Sequence, residues 1–205
     1  MSFQFAQMRM RFLKSIVSVF LGAGAAVGGQ KDAKTQKAEL EKLLQAALPF
    51  AEQMLANHGE FFPYGATMNA EGKITSIAGY TGNEHPQTTA VIDLLKQACR
   101  RDGEIGKIIA CALAYDIRTI PPGETEKTDA VAVDLDHRDG ISAVMVYPYK
   151  IAVDKKVVFG TVFAMKGRGE IFKTKAKGEP AGAANRSQPS GSGASGTSSA
   201  AGSGR

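Results

Sequence analysis

Apolar residues recur along this chain with two periods, and the change from one to the other marks out the elements. Between Lys34 and His58, the positions Leu40, Leu43, Leu44, Ala47, Leu48, Ala51, Met54 and Leu55 stay on one side of a 3.6-residue spiral. This spacing predicts a helix. Pro49 lies inside it and lacks a backbone donor, so a kink or a second start is expected there. Gly59 suits its end. Phe61 to Asn69 and Lys73 to Tyr80 then predict two arms of a hairpin, turned by Asn69-Ala70-Glu71-Gly72. After the polar loop from Thr81 to His85, Pro86 stands where a first helical residue would. Val91, Leu94, Leu95, Ala98 and Cys99 share one face of a second helix that runs to about Arg101, with Gly103 beyond its end.

From there the period falls to two. Lys107 to Ile120 places Ile109, Cys111, Leu113, Tyr115 and Ile117 on one side. The other side holds Ile108, Ala110, Ala112 and Ala114, then Asp116 and Arg118. The alanines predict that a helix packs close against that side. Ala130–Leu135, Ile141–Tyr149 and Val157–Ala164 are the remaining strands, with a tight turn at His137-Arg138-Asp139-Gly140. Short links make most neighbours antiparallel. The expected fold is α+β: an antiparallel sheet of five to six strands, with two main helices on one face. The order resembles the profilin-like and roadblock-like arrangement, a likeness of fold that implies no activity.

A second resemblance rests on Gly59-Glu60-Phe61-Phe62-Pro63-Tyr64-Gly65-Ala66, with Glu84-His85-Pro86, Tyr115-Asp116-Ile117-Arg118 and Lys127-Thr128-Asp129-Ala130. These runs resemble a family of small bacterial α+β domains with a GEFFPYGA-type motif. The likeness covers residues 39–172. That family carries no assigned activity, so the resemblance implies domain limits and no cofactor or substrate.

Composition divides the 205 residues into three parts. Residues 1–30 contain Arg9, Arg11 and Lys14 and no acid, followed by an apolar run and then small residues. This is either an amphipathic helix, with Leu13, Ile16, Val17, Phe20 and Leu21 at helical spacing, or a short export signal. The non-cleaved reading is preferred, which makes the expected location cytoplasmic and leaves residues 8–29 for contact with a membrane surface. Residues 31–172 form a single domain. Residues 173–205 are a basic tail rich in Gly, Ser and Ala. From Pro180 onward it contains no Val, Ile, Leu, Met or aromatic residue, and so nothing to offset the entropy of ordering.

The net charge of +5 belongs to the two ends, because residues 31–172 hold 17 basic and 19 acidic side chains. A basic face for tracking nucleic acid is therefore not expected.

Chemistry is sparse. No nucleophile elbow and no phosphate-binding loop is present. Cys99 and Cys111 fall on apolar faces, where thiols are ordinarily inert. No cofactor and no metal is expected. Asp134, Asp136, His137 and Asp139 match no known metal spacing and fit a turn better.

The candidate binding residues are Phe62, Tyr64, Glu84, His85, Asp116 and Arg118. Phe62 and Tyr64 offer aromatic surface beside the hairpin, although plain packing is the commoner use of such residues. Glu84 and His85 precede a helix start, where they either cap the helix or serve a site. Asp116 and Arg118, two apart on a strand, share a face and can pair with each other or hold an anion.

The leading expectation is a non-catalytic interaction module, of the adaptor, regulatory or immunity type, with a protein partner. The alternative is a small hydrolase or isomerase using Glu60, His85, Asp116 and Arg118. It requires those four to meet in one cleft.

Overall fold

The computed structural model describes residues 32–84 and 86–172. The expectations for residues 1–30, for the tail from 173 and for His85 fall outside them. Helix α1 (Ala33–His58) leads into strands β1 (Tyr64–Met68) and β2 (Ile74–Ala78). Helix α2 (Thr88–Glu104) follows, then β3 (Ala110–Thr119), β4 (Thr128–His137), β5 (Ser142–Ile151), β6 (Val157–Phe159) and β7 (Phe163–Lys166). The strands form one antiparallel sheet in the order β2-β1-β3-β4-β5, with β6 and β7 both pairing with β5. The class is α+β, as the order of elements predicts.

Seven strands replace the expected five or six, and the reason is local. Tyr149 pairs with Phe159, but Val146 pairs with Phe163. Two residues of β5, Tyr147 and Pro148, therefore face three residues, 160–162. One extra residue in an antiparallel pair is a β-bulge, and it divides the expected strand Val157–Ala164 in two. It sits opposite Pro148, which has no N–H for the ladder, while Gly160 donates to the Pro148 carbonyl at 2.7 Å.

The two helices cover opposite faces of the sheet, which corrects the one-face expectation. Leu40, Leu43, Leu44, Ala47, Leu48, Ala51 and Leu55 of α1 pack on Ala110, Ala112 and Ala114 of β3, Val131 and Val133 of β4, and Met145 and Tyr147 of β5. The alanine stripe receives a helix as expected. Val91, Leu95 and Cys99 of α2 pack on Cys111 and Leu113, the other side of the same strand. A strand with helices on both faces is buried on both, so period two alone cannot assign its helices.

Asp32 caps α1 by accepting the Thr35 amide at 2.7 Å. Gly59 ends it at φ +79°, returning its N–H to the Leu55 carbonyl at 2.9 Å. The helix continues through Pro49. Two residues to either side of it, the Tyr64 hydroxyl accepts the Ala51 amide at 3.0 Å and donates to the Ala47 carbonyl at 2.7 Å. A side chain has thus entered the ladder beside a proline, where helices open. Burial pushes the Tyr64 phenol well above its usual range. Phe50 and Phe61 meet the Tyr64 ring edge-on, at centroid distances of 4.7 and 5.8 Å. At the next residue, a Cβ on Gly65 would lie 2.6 Å from the Ala112 carbonyl, so β1 and β3 meet through a residue without a side chain.

Helix α2 begins at Thr88, two residues after Pro86, and runs through Gly103 to Glu104. It is longer than expected because its last turn rests on Phe172. A Cβ on Gly103 would lie 2.8 Å from that ring.

Candidate functional site

The residues chosen from sequence occupy three separate environments. Tyr64 points inward and closes the gap in α1, while Phe62 and Glu60 are exposed ahead of β1. Glu84 is exposed ahead of α2. Asp116 and Arg118 share the α1 face of β3 but do not pair with each other. Asp116 accepts from the Tyr149 hydroxyl at 3.1 Å, and reduced access to water raises its pKa. Arg118 meets its cross-strand neighbour Asp129 at 3.1 Å. Both members of that second pair are largely exposed, so it adds little to stability. None of these residues lines either of the two clefts that flank α2.

The larger cleft holds about 390 Å³ and lies where α2 leaves its face of the sheet uncovered. Its floor is Cys111, Leu113, Tyr115, Ile117, Ala132 and Asp134. These residues come together because the β3–β4 register sets Leu113 against Asp134 and Tyr115 against Ala132, all on one face.

A strap formed by residues 167–171 makes the wall. Gly169 donates to Ser142 Oγ at 3.0 Å, and Ile171 donates to Asp136 Oδ2 at 3.1 Å. Glu170 takes Lys96 of α2 at 2.5 Å, and its carbonyl accepts Arg100 Nε at 2.7 Å. The strap therefore ties the end of β7 across the sheet to α2. Lys96 holds the Glu170 carboxyl below its usual range. Asp134 makes no ion pair among the described residues. Loss of water raises its pKa, partly opposed by the Tyr115 hydroxyl and by Lys96. Such a carboxyl is an acceptor for a hydrogen-bond donor entering the cleft.

The smaller cleft, about 340 Å³, runs between β2 and α2. Ile77, Ala78, Gly79, Tyr80, Leu94 and Ala98 line it. Tyr80 and Leu94 are exposed, Tyr80 at 76%. Beside it is the outer edge of β2, which has a strand neighbour on one side only among the described residues.

The acidic turn divides between the two faces. Asp134 and Asp136 lie on the α2 face, as their spacing predicts. The His137 ring is fully buried toward α1, with Nε2 3.0 Å from Glu39 Oε2. Its Nδ1 accepts the Asp139 amide at 3.1 Å, so the proton of the neutral ring sits on Nε2 and is donated to Glu39. Among the described residues, no three His, Cys, Asp or Glu side chains converge as a metal site would need.

Tyr115, Lys96, Arg168 and Glu170, which line the larger cleft, are not among the candidate residues that the sequence offers, and Arg168 Nη1 lies 3.6 Å from Glu170 Oε1. The alternation at Tyr115 was the one available signal, and it showed a face without showing what leaves that face open.

No family profile, no curated protein and no solved structure matches this chain. No helix among the described residues is long and apolar enough to cross a membrane.

Proposed function

We propose that the chain is a non-catalytic protein-interaction module that takes an extended segment of a partner protein onto the free edge of β2. The observation that carries this reading is the contrast between the two edges of one sheet. At one edge the outermost strands β6 and β7 are only three and four residues long, are parted by the bulge, and include Lys166, all of which blunt pairing with another strand. The outer side of β2 has no strand partner among the described residues. An open edge presents N–H and C=O groups that another extended backbone can pair in series. Protective features on such edges are lysine, proline or a bulge, and Ile74-Thr75-Ser76-Ile77-Ala78 contains none of them. The β2–α2 cleft lies alongside, with Ile77, Tyr80 and Leu94 placed to receive side chains of the incoming strand. Main-chain pairing supplies affinity, and the cleft supplies selection.

The test compares the full chain with a Tyr80→Ser/Leu94→Lys variant as baits in the native host. Both positions are exposed, so the fold is expected to survive. A partner held by the parent chain should bind the variant about tenfold more weakly, equivalent to losing ~1.4 kcal/mol. In the complex, amide exchange across residues 74–78 should slow. A partner that binds both baits equally and leaves β2 exchange unchanged overturns the reading.

A further inference from the structure

The chain contains two cysteines, and the fold brings them together. Cys99 lies in α2 and Cys111 in the central strand β3, with their Sγ atoms 2.6 Å apart. Each residue is 1% exposed. The two are free thiols in direct contact, so only a small approach separates them from the ~2.05 Å of a disulfide bond. Each residue also lies on the wall of a cleft. Cys99 lines the cleft between β2 and α2, and Cys111 lines the floor of the larger cleft on the far side of the helix. The pair therefore stands at the junction of α2 and the sheet, between the two clefts.

We propose that Cys99 and Cys111 form a reversible disulfide that staples α2 to the central strand. The oxidant is a small-molecule disulfide, RSSR. The Cys99 thiol gives up its proton, and its sulfur attacks one sulfur of RSSR. The small-molecule S–S bond breaks, and the departing thiolate takes a proton to become RSH. Cys111 then attacks the Cys99 sulfur of the mixed disulfide. The bond between Cys99 and the remaining RS group breaks, and the second thiolate leaves with the Cys111 proton as another RSH. Two protein thiols are oxidised, and one small disulfide is reduced to two thiols.

Cys99 acts first, from the β2–α2 cleft. The Cys111 thiol is held protonated by the Cys99 sulfur beside it and by burial. This proposal does not depend on the function given to the β2 edge.

The full chain, fully reduced, is incubated under native conditions with oxidised glutathione, then denatured and alkylated. The expected product has no alkylatable thiol, a mapped Cys99–Cys111 cross-link and complete reversal by dithiothreitol. It should melt several degrees above the reduced chain, because the cross-link restricts the unfolded state. Cys111→Ser should instead accumulate one glutathione on Cys99, since the resolving thiol is gone. Three outcomes each overturn the proposal: both thiols remain alkylatable after oxidation, each cysteine carries its own glutathione, or the cross-linked chain melts below the reduced one.

Discussion

The two faces of the sheet are built on different terms. On the α1 face, a leucine-rich helix shares one buried cluster with residues of β1, β3, β4, β5 and β6. Polar groups admitted there have partners: the Tyr64 hydroxyl sits in the α1 ladder and His137 bonds Glu39 and Asp139. On the α2 face, a shorter apolar stripe covers only part of the sheet, and a strap covers a little more. That face keeps both clefts, the Asp134 carboxyl and the cysteine pair. Stability is concentrated on one side and accessible chemistry on the other. The reason is the extent of apolar cover, since polar and reactive groups stay reachable only where packing stops.

The sharpest way to break this comparison is to remove equal volume from each side. Leu43→Ala, at a fully buried position on the inner face of α1, should cost about 2–5 kcal/mol and fall toward the upper end of that span. Leu95→Ala borders the β2–α2 cleft, where neighbours can collapse, and should fall toward the lower end. Urea unfolding measures both. Equal losses would show that the α2 face is as tightly packed as the other.

The next effect concerns the repaired helix. Tyr64→Phe should cost about 1–3 kcal/mol, because the Ala47 carbonyl and Ala51 amide lose their buried partner. In a Pro49→Ala background the helix can close its own ladder, and the same substitution should cost less. A double-mutant cycle with no coupling would separate Tyr64 from Pro49.

The smallest effect has the opposite sign and belongs to the α2 face. The pKa of Asp134 is raised on folding, so the native chain holds that proton more tightly than the unfolded chain does. Its contribution is harmless in acid. It becomes destabilising as pH rises through the ordinary value of 3.8 toward the raised one, and it stays so above. Asp134→Asn should therefore raise the melting temperature by a few degrees at neutral pH. The gain should vanish below pH 3.8. A gain that persists in acid would assign the effect to packing.

Much of the fold was legible in sequence because periodicity records local burial directly. The leucines at Leu40, Leu43, Leu44, Leu48 and Leu55 permit one helix face, and Ala110, Ala112 and Ala114 leave room for a helix to approach. The division at β6 and β7 was not legible, since the bulge depends on Pro148 in a neighbouring strand. The site was less legible than the fold. Tyr64 has the composition of a binding residue, but its hydroxyl is built into α1 beside Pro49, fifteen positions earlier in the chain. Asp116 and Arg118 share a face, yet each finds a better partner on another strand.

The sequence by itself determined the elements, their antiparallel links and which residues turn inward, because these follow from side-chain polarity read at one or two periods. Tertiary structure decided which face each helix takes, which sheet edge is broken by a bulge and which is not, and that Cys99 and Cys111 meet. Those outcomes depend on strand order and register, and they bring together residues whose local surroundings carry no record of each other.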